Sequence, residues 1–429
     1  MYFDMEKNKL KALELLKQKV NGEIKITYPE IARQTGYQKC HLIRLTKEIE
    51  KRDIDSVLVH GQTGKTSHNS ASIKEVSYII NFKNKYLEVS ISQFRDIYHE
   101  DIIWNPKLKN DVKNNNLKIR SYSFYQQLYK QQGWTSPIKH KKFGKKSESH
   151  PLRAASERRG ILVMIDGTPH DWFGNGIKFS LHLAIDDATG EILAGYFMKE
   201  ECLEGYCYLL MLLIKEYGIP ISLYSDKHTI LKSIIDGHLT TFGKIAKDLG
   251  IEMIFANPPQ AKGKVERANL TILNRLVTDI KRYDIKTYAE LNKWFNSKYK
   301  YYLNKKFAYL PKYKVSRFVK LSPKQDLTLI FTIRDTRTIL NGNCVFWNNN
   351  FYVITRNDEN YPMYKGTTVE ILQNIFDKNV YVKYRNKIYK TKKIEGHFQD
   401  PEKRKQALIN NQKELELVLA ERDNKKVSF

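Results

Sequence analysis

Between residues 160 and 283 the hydrophobic period switches repeatedly between that of a strand and that of a helix. This alternation constrains the fold more than any other feature of the chain. GILVMID (160–166) predicts a buried strand. FSLHLAIDDATGEILAGYFM (179–198) predicts two strands around an Asp-Asp-Ala-Thr-Gly turn. EGYCYLLMLLIKEYG (204–218) predicts a core helix ending at Gly218, PISLYSD (220–226) a strand, residues 239–249 a helix and IEMIFAN (251–257) a strand. AKGKVERANLTILNRLVTDIKRY (261–283) predicts a long amphipathic helix. The order β-β-β-α-β-α-β-α specifies an α/β layer built on a mixed sheet.

The charge balance points to the partner. Lys and Arg number 73 against 47 Asp and Glu, a net charge of +26 with a pI near 9.6. Such a surplus calls for a polyanion, nucleic acid or an anionic surface. The longest apolar stretches, Ile161 to Ile165 and Tyr208 to Ile214, fall far short of the roughly 18 residues that a membrane-spanning helix needs. The opening MYFDMEKNKL has no apolar core or small-residue cleavage site, which argues against a secretory signal. Cys40, Cys202, Cys207 and Cys344 form no C-x-x-C pair, so neither a cysteine zinc knuckle nor a disulfide scaffold is expected and a reducing cytoplasm fits. At roughly 100–200 residues per domain, 429 residues make two to four domains.

The flanks read differently. Leu10, Leu13, Leu16 and Val20 recur at helical spacing, Thr27-x-x-Glu30 is a capping box, and EIARQTGYQKCHLIRLTKEIE reads as helix, Gly36 turn, helix. This is a helix-turn-helix pattern, with Gln38, Lys39, His41 and Arg44 as candidates to face DNA; the plain alternative is a helical bundle with a solvated basic face. A second helical module is expected over 66–135, with Ser90-x-x-Gln93 opening one helix through about Glu100, Ser121–Lys130 forming another, and the polar stretch KLKNDVKNNNLKIR between them as a loop. Residues 136–159 carry basic residues at 139, 141, 142, 145, 146, 153, 158 and 159 against Glu148 and Glu157 alone, and read as an extended basic linker. Residues 284–325 read as helical and basic, with a capping box at Thr287-x-x-Glu290. From 326 to 393 the period returns to two, with hairpins expected about Asn348–Asn350 and Arg385–Asn386, which suggests a small barrel. The tail, 401–429, reads as a charged helix or a disordered arm.

Three carboxylates stand out by placement. Asp166 is expected to end the first strand, Asp226 the fourth, and Glu266 lies early in the long helix after the fifth. Strand ends of open α/β sheets are where sites assemble. Three acids brought together repel unless a cation compensates them. Oxygen-only ligands select a hard ion, Mg²⁺ or Mn²⁺, and two such ions serve phosphodiester chemistry. Lys262, Lys264 and Arg267 flank Glu266 as candidate DNA contacts, and Lys227 and His228 follow Asp226. A lone strand-end Asp is more often a turn or cap residue, the reading given to Asp186 and Asp187, while Asp171 is open to either.

MIDGTPHDWF (164–173), LHLAIDDATGEILAGYF (181–197), GIPISLYSDKHTI (218–230) and ANPPQAKGKVERANLTILNRL (256–276) resemble the DDE-type insertion-sequence transposases, closest to the ISNCY group of the retroviral-integrase superfamily. The resemblance covers about residues 6–325 and is strongest over 160–310. It implies an RNase H-like core with Asp166, Asp226 and Glu266 as catalytic and metal-holding triad, spaced by 60 and 40 residues. It implies that Gln260 and Lys262 lie against DNA and that Asn269 supports the helix face near the metals, with His228 a candidate orienter of Asp226. The N-terminal helix-turn-helix region would read terminal inverted repeats, and VHGQTGKTSHN (58–68) matches a basic connector. Lys264 stands where Arg is frequent in the family, and no His-His-Cys-Cys zinc module precedes the core.

The sequence therefore predicts a multidomain chain: a helix-turn-helix domain (1–65), a second helical module (66–135), a basic linker (136–159), an α/β RNase H-like core (160–300), a connector (301–325), a small β-barrel (326–395) and a charged tail (396–429). The function expected is Mg²⁺-dependent strand cleavage and strand transfer by a transposase with two ions. Its partner would be double-stranded DNA, both transposon ends and target. The chain would act as a homo-oligomer in the cytoplasm, associated with the nucleoid, with the helix at 204–217 and the tail at 401–422 as candidate interfaces. The rival readings are a non-catalytic domesticated DNA-binding regulator and an RNase H-type nuclease.

Overall fold

A computed structural model describes residues 2–58, 70–86, 88–137, 154–235, 237–255, 263–356, 359–360, 362–394, 409–410 and 412–413. The chain forms two compact units, one of residues 1–85 and 98–119, the other of 86–97 and 120–429. Most of the basic linker, the 58–68 connector beyond its first residue, and nearly all of the tail lie outside the described residues.

In the first unit α1 (Tyr2–Val20), α2 (Tyr28–Thr35) and α3 (Lys39–Ile49) enclose Ala12, Leu13, Leu16, Ile31, Leu42 and Leu45, with Val57 of α4 (Ile54–Leu58) closing the cluster. Gly36 makes the turn between α2 and α3 at φ 74°, a conformation open to a residue without a Cβ. α5 (Ile73–Lys83) is capped by Ser72, whose Oγ accepts the Glu75 N–H. The polar stretch expected to be a loop folds instead into a 3₁₀ turn (Pro106–Leu108) and a short helix, Lys109–Asn114. Asn105 caps the first of these through the Lys107 N–H, and the run of Lys, Asn and Asp that suggested a loop forms the outer face of the second. Counting that helix as α7, α6 is Ile91–Tyr98, which begins at Ser90 as expected and passes into a π-helical turn, His99–Ile103.

The second unit holds the α/β layer. β1 (Leu162–His170), β2 (Phe179–Asp186), β3 (Ile192–Met198), β4 (Ser222–Ser225) and β5 (Glu252–Phe255) form a sheet of order β3-β2-β1-β4-β5. β1–β2 and β2–β3 are antiparallel; β1–β4 and β4–β5 are parallel. Alternation along β1 sends Val163 and Ile165 to one face, under α9 (Leu203–Tyr217) and α10 (Thr241–Asp248), and Leu162 and Met164 to the other, under α11 (Gly263–Arg282), α12 (Tyr288–Trp294) and α13 (Lys300–Phe307). α9, an interface candidate from sequence, buries Gly205, Tyr206, Cys207, Leu209, Leu210, Leu213 and Ile214 in this packing. The helix α8 (Tyr122–Gln131) is capped by Ser121, and within the same unit Asp96 meets Arg275 of α11 and Lys306 of α13, each at 3.0 Å. Burial alone would push the Asp96 carboxyl up; Lys306 and Arg275 together outweigh it and hold the group below its ordinary range.

β1 does not end at Asp166. Its antiparallel pairing with β2 carries on to His170, whereas its parallel pairing with β4 stops at Met164. The residues after Met164 are thus held from one side only.

A ladder of side chains closes the outer edge of the sheet. Asn292 pairs with the backbone N–H and C=O of Phe197 (2.7 and 3.1 Å), Asn296 with those of Gly195 (3.1 and 2.7 Å) and Asn304 with those of Ile192 (2.8 and 2.9 Å). Lys300 donates to the Leu193 carbonyl at 2.7 Å. A π-helical turn, Phe295–Tyr299, lies within this run. It widens the turn by somewhat less than one residue, which keeps Asn292, Asn296 and Lys300 in step with Phe197, Gly195 and Leu193. β3 therefore presents no unpaired strand edge there, a standing liability of open sheets.

The helical reading of 284–325 holds as far as Phe307. The chain then runs as an extended strap along the core: Tyr309 N–H bonds to Thr189, Tyr313 to Glu157 and Arg317 to Arg159, and Ile219 and Val319 exchange hydrogen bonds. Pro311 and the outlet these carbonyls offer explain why helical periodicity failed there. After α14 (Leu327–Ile330) come β6 (Thr332–Thr338), β7 (Cys344–Trp347), β8 (Asn350–Arg356), β9 (Glu359–Asn360), β10 (Thr368–Asn374), β11 (Val380–Tyr384) and β12 (Lys387–Lys393). They pair antiparallel in the order β6-β10-β11-β12-β8-β7, with β9 on β8, and a bridge between Leu340 and Cys344 nearly closes the sheet on itself. Both expected hairpins are present, turning at Asn348–Asn349 and Arg385–Asn386, each residue with positive φ. Among the described residues no helix is long and apolar enough to cross a membrane.

Candidate active site

Asp166 stands on the stretch of β1 that β4 has stopped pairing. Extending the β1–β4 register beyond Met164–Tyr224 brings Asp166 level with Asp226, the residue after β4. Both side chains are half-buried. Asn269 of α11 donates from Nδ2 to Asp166 Oδ2 at 2.9 Å. Its Oδ1 is buried with no hydrogen-bond partner. Glu266 sits one helical turn before Asn269 and is exposed. α11 is thus tied to Asp166 by one side chain and offers a carboxylate from the adjacent turn.

The three acids do not form a closed coordination sphere. Among the described residues no group of three or more His, Cys, Asp or Glu side chains is arranged to hold a metal ion. The donor chemistry is nonetheless that of a hard cation: carboxylate oxygens with an orphaned amide oxygen beside them.

The remaining residues singled out by sequence divide clearly. His228 reaches Asp226 through its backbone N–H, 3.1 Å from Oδ1, while its ring Nδ1 accepts from the Ile230 N–H at 3.4 Å. Lys264 is turned to Asp187, 2.9 Å from Oδ1, and also donates to the Asp187 carbonyl at 2.5 Å. Arg267 is exposed, its Nε donating to the Gly263 carbonyl at 3.0 Å. Gln260 and Lys262 lie outside the described residues. On α3 Lys39 and Arg44 are exposed; Arg44 lies 2.9 Å from His41 Nδ1, and burial, then the Arg44 charge, lowers the His41 pKa.

Asp186 and Asp187 serve the hairpin. Asp186 accepts from the Gly160 and Thr189 N–H groups, and Asp187 from the N–H and hydroxyl of Ser156, fastening the end of the linker to the core. Asp171 is a turn residue: its carboxylate accepts from the Gly174, Asn175 and Gly176 N–H groups at 2.7, 3.1 and 2.7 Å, and these bonds, that from Gly176 first, lower its pKa. One acid near the site had no sequence signal of its own. Glu201, just before α9, lies over Gly167; the available hint was a glycine inside a strand, which marks a close approach.

Over 271 residues the chain is 33% identical to the transposase for insertion sequence IS1202 of Streptococcus pneumoniae, a match covering 60% of this chain and 57% of that one. This chain resembles the insertion-sequence transposases. A second transposase-like relative, the y4bF protein of Sinorhizobium fredii, is 41% identical over 138 residues, 31% of this chain and 30% of its own. The matches thus span about half or less of the length of these relatives. No family model matches the chain. Among solved structures, the HTLV-2 integrase catalytic core domain in complex with magnesium aligns with 32% of this chain and 85% of its own, at 19% identity and a TM-score of 0.26.

Proposed function

We propose that the protein is a DNA transposase of the DDE type, which cuts the ends of its own insertion sequence and joins them to target DNA. The observations that support this reading are that Asp166 falls level with Asp226 when the β1–β4 register is extended and that Asn269, on the helix bearing Glu266, bonds to Asp166. The transposase resemblance supplies the reaction class.

Asp166 and Asp226 would hold divalent ions, Mg²⁺ or Mn²⁺, with Glu266 completing the set. When bound, two such ions activate an attacking oxygen and stabilise a leaving one. The chain's own residues do the rest. Asn269 fixes the rotamer of Asp166, and the His228 N–H orients Asp226. Arg267, with Gln260 and Lys262, contacts the phosphate backbone. In the first reaction water attacks a phosphodiester at the element's end; the P–O3′ bond breaks, leaving a 3′-OH on the element and a 5′-phosphate on the flank. In the second, that 3′-OH attacks a target phosphodiester and displaces a target 3′-OH. Neither needs a covalent protein intermediate. α3 would enter a major groove with Lys39, His41 and Arg44, and joining two ends requires at least two copies of the chain.

The test is incubation of the full chain with Mg²⁺ and a duplex carrying an end of its element. Nicking at the end junction, followed by joining, is expected. Binding should weaken steeply with salt, each phosphate contact adding about 0.9 to the log–log slope; a flat response contradicts the basic interface. One rival is a non-catalytic DNA-binding relative. End-specific binding without any nicking would select it.

A further inference from the structure

We infer that the strap after α13 is a docking surface for single-stranded DNA, on which the rings of Phe307, Tyr309 and Tyr313 stack unpaired bases while neighbouring cations hold the phosphates. The choice of DNA as the strand rests on the transposase reading; the stacking surface does not, and it needs no part of the acid site. The backbone of the strap is fixed to the core. The N–H groups of Tyr309, Tyr313, Arg317 and Val319 donate to the carbonyls of Thr189, Glu157, Arg159 and Ile219 at 3.0, 3.1, 2.8 and 2.8 Å. This fixing uses main-chain groups and leaves large side chains in solvent: Phe307 is 47% exposed, Tyr309 49%, Tyr313 43% and Leu310 89%.

Each of the three rings is backed on one side. The Arg275 guanidinium lies over Phe307, 5.1 Å from the ring centroid, and that of Arg158 over Tyr313 at 4.9 Å. Tyr309 rests on the turn between β2 and β3, where a Cβ on Gly190 would stand 2.9 Å from its ring. Side chains held in this way have already lost rotamer freedom on folding, so a base stacking on the exposed side costs little further ordering. Cations are interleaved with the rings. Residues 305–320 include Lys305, Lys306, Lys312, Lys314, Arg317 and Lys320 and no Asp or Glu. All six are exposed, although Lys306 also meets Asp96 and Lys312 meets Glu157. Alternating rings and cations along an extended backbone suit a polyanion whose bases are open. In a duplex the base faces are closed against one another, and the rings would gain nothing; an unpaired strand offers both phosphates and free faces. An apolar protein partner would cover the rings but strip water from six cations without pairing them.

The test measures fluorescence anisotropy of two labelled probes with the full chain. One is an oligothymidylate of about 16 nucleotides, the upper site size for such surfaces, and the other an abasic strand of equal length, which keeps the phosphates and lacks the bases. The wild type is expected to bind the oligothymidylate more tightly. Tyr309→Ala and Tyr313→Ala should each weaken that binding by about five- to a hundredfold and leave the abasic probe near its wild-type affinity. Tyr313→Phe, which keeps a ring, should bind as the wild type does. Equal affinity of the wild type for the two probes overturns the proposal. An equal loss on both probes in the alanine variants also overturns it, as a structural role for the rings. Wild-type binding of both probes by those variants overturns it too, and a lower sedimenting mass in them would assign the strap to a contact between copies of the chain. Tighter binding of an oligouridylate of the same length overturns the assignment to DNA. Asp166→Asn should bind both probes as the wild type does, so a failure of the acid site and a failure of the strap give different results.

Discussion

Asp166→Asn is expected to slow end cleavage by about a thousandfold or more while leaving end binding near that of the wild type. A bound divalent ion contributes several kcal/mol to the stabilisation of developing charge, and each ~1.4 kcal/mol is a factor of ten in rate. Asn keeps the shape of Asp166 and an acceptor for Asn269, but it removes the charge that draws the cation. Asp226→Asn and Glu266→Gln should each cost a similar factor. Combining them should add little, because groups that act as one unit are lost together. Asp171→Asn is the contrasting variant. That carboxylate lies only five residues further on, but it is engaged with the backbone of its own turn, and cleavage should stay close to the wild-type rate. Single-turnover cleavage and filter binding on the same duplex measure both quantities.

Phe295→Ala is expected to destabilise the fold by about 3–5 kcal/mol, the range for removing a fully buried phenylalanine. Phe295 has no exposed surface and stands edge-on to Phe197, centroids 5.6 Å apart. Its ring also occupies the place of a side chain at Gly195, whose N–H and C=O are both taken by Asn296. The loss therefore falls on a ring and on the ladder that seals the edge of β3. Against a typical total stability of about 5–15 kcal/mol this is a large share. Urea unfolding followed by tryptophan fluorescence would show it as a lower midpoint at an unchanged slope. A shift corresponding to less than about 1 kcal/mol would contradict the packing described.

What the sequence made legible was periodicity. The apolar words at 160–166, 179–198 and 251–257 became β1, β2 with β3, and β5, and the amphipathic run after residue 262 became α11. Caps were legible in part: Thr287 and Glu290 form their box as spaced, whereas Thr27 precedes α2 without a side-chain cap hydrogen bond. Asp226 and Glu266 could be chosen because each sits where a strand ends or a helix begins, whereas Asp166, expected at the end of β1, lies within it. Long-range pairing was not legible. Asn292, Asn296 and Asn304 read as the polar face of a helix, whereas they serve as the neighbour that β3 lacks. Lys264 read as a phosphate contact because charge is visible in a sequence and a partner 77 residues away, Asp187, is not. The strap after Phe307 was misread because its hydrogen bonds go to distant carbonyls rather than to its own turn. Glu201 was hidden for the same reason, although Gly167, Gly195 and Gly205, each inside a strand or helix, marked where another group comes close.

The account stands on Asp166, Asp226 and Glu266 serving the same ions. Iron-directed cleavage tests this without requiring activity: Fe²⁺ is bound in place of Mg²⁺, peroxide and ascorbate are added, and the polypeptide is cut where the iron sits. Cuts near residues 166, 226 and 266, suppressed together by excess Mg²⁺ and lost together in Asp166→Asn, are the predicted result. Cuts confined to one of the three segments, or falling elsewhere in the chain, would contradict it.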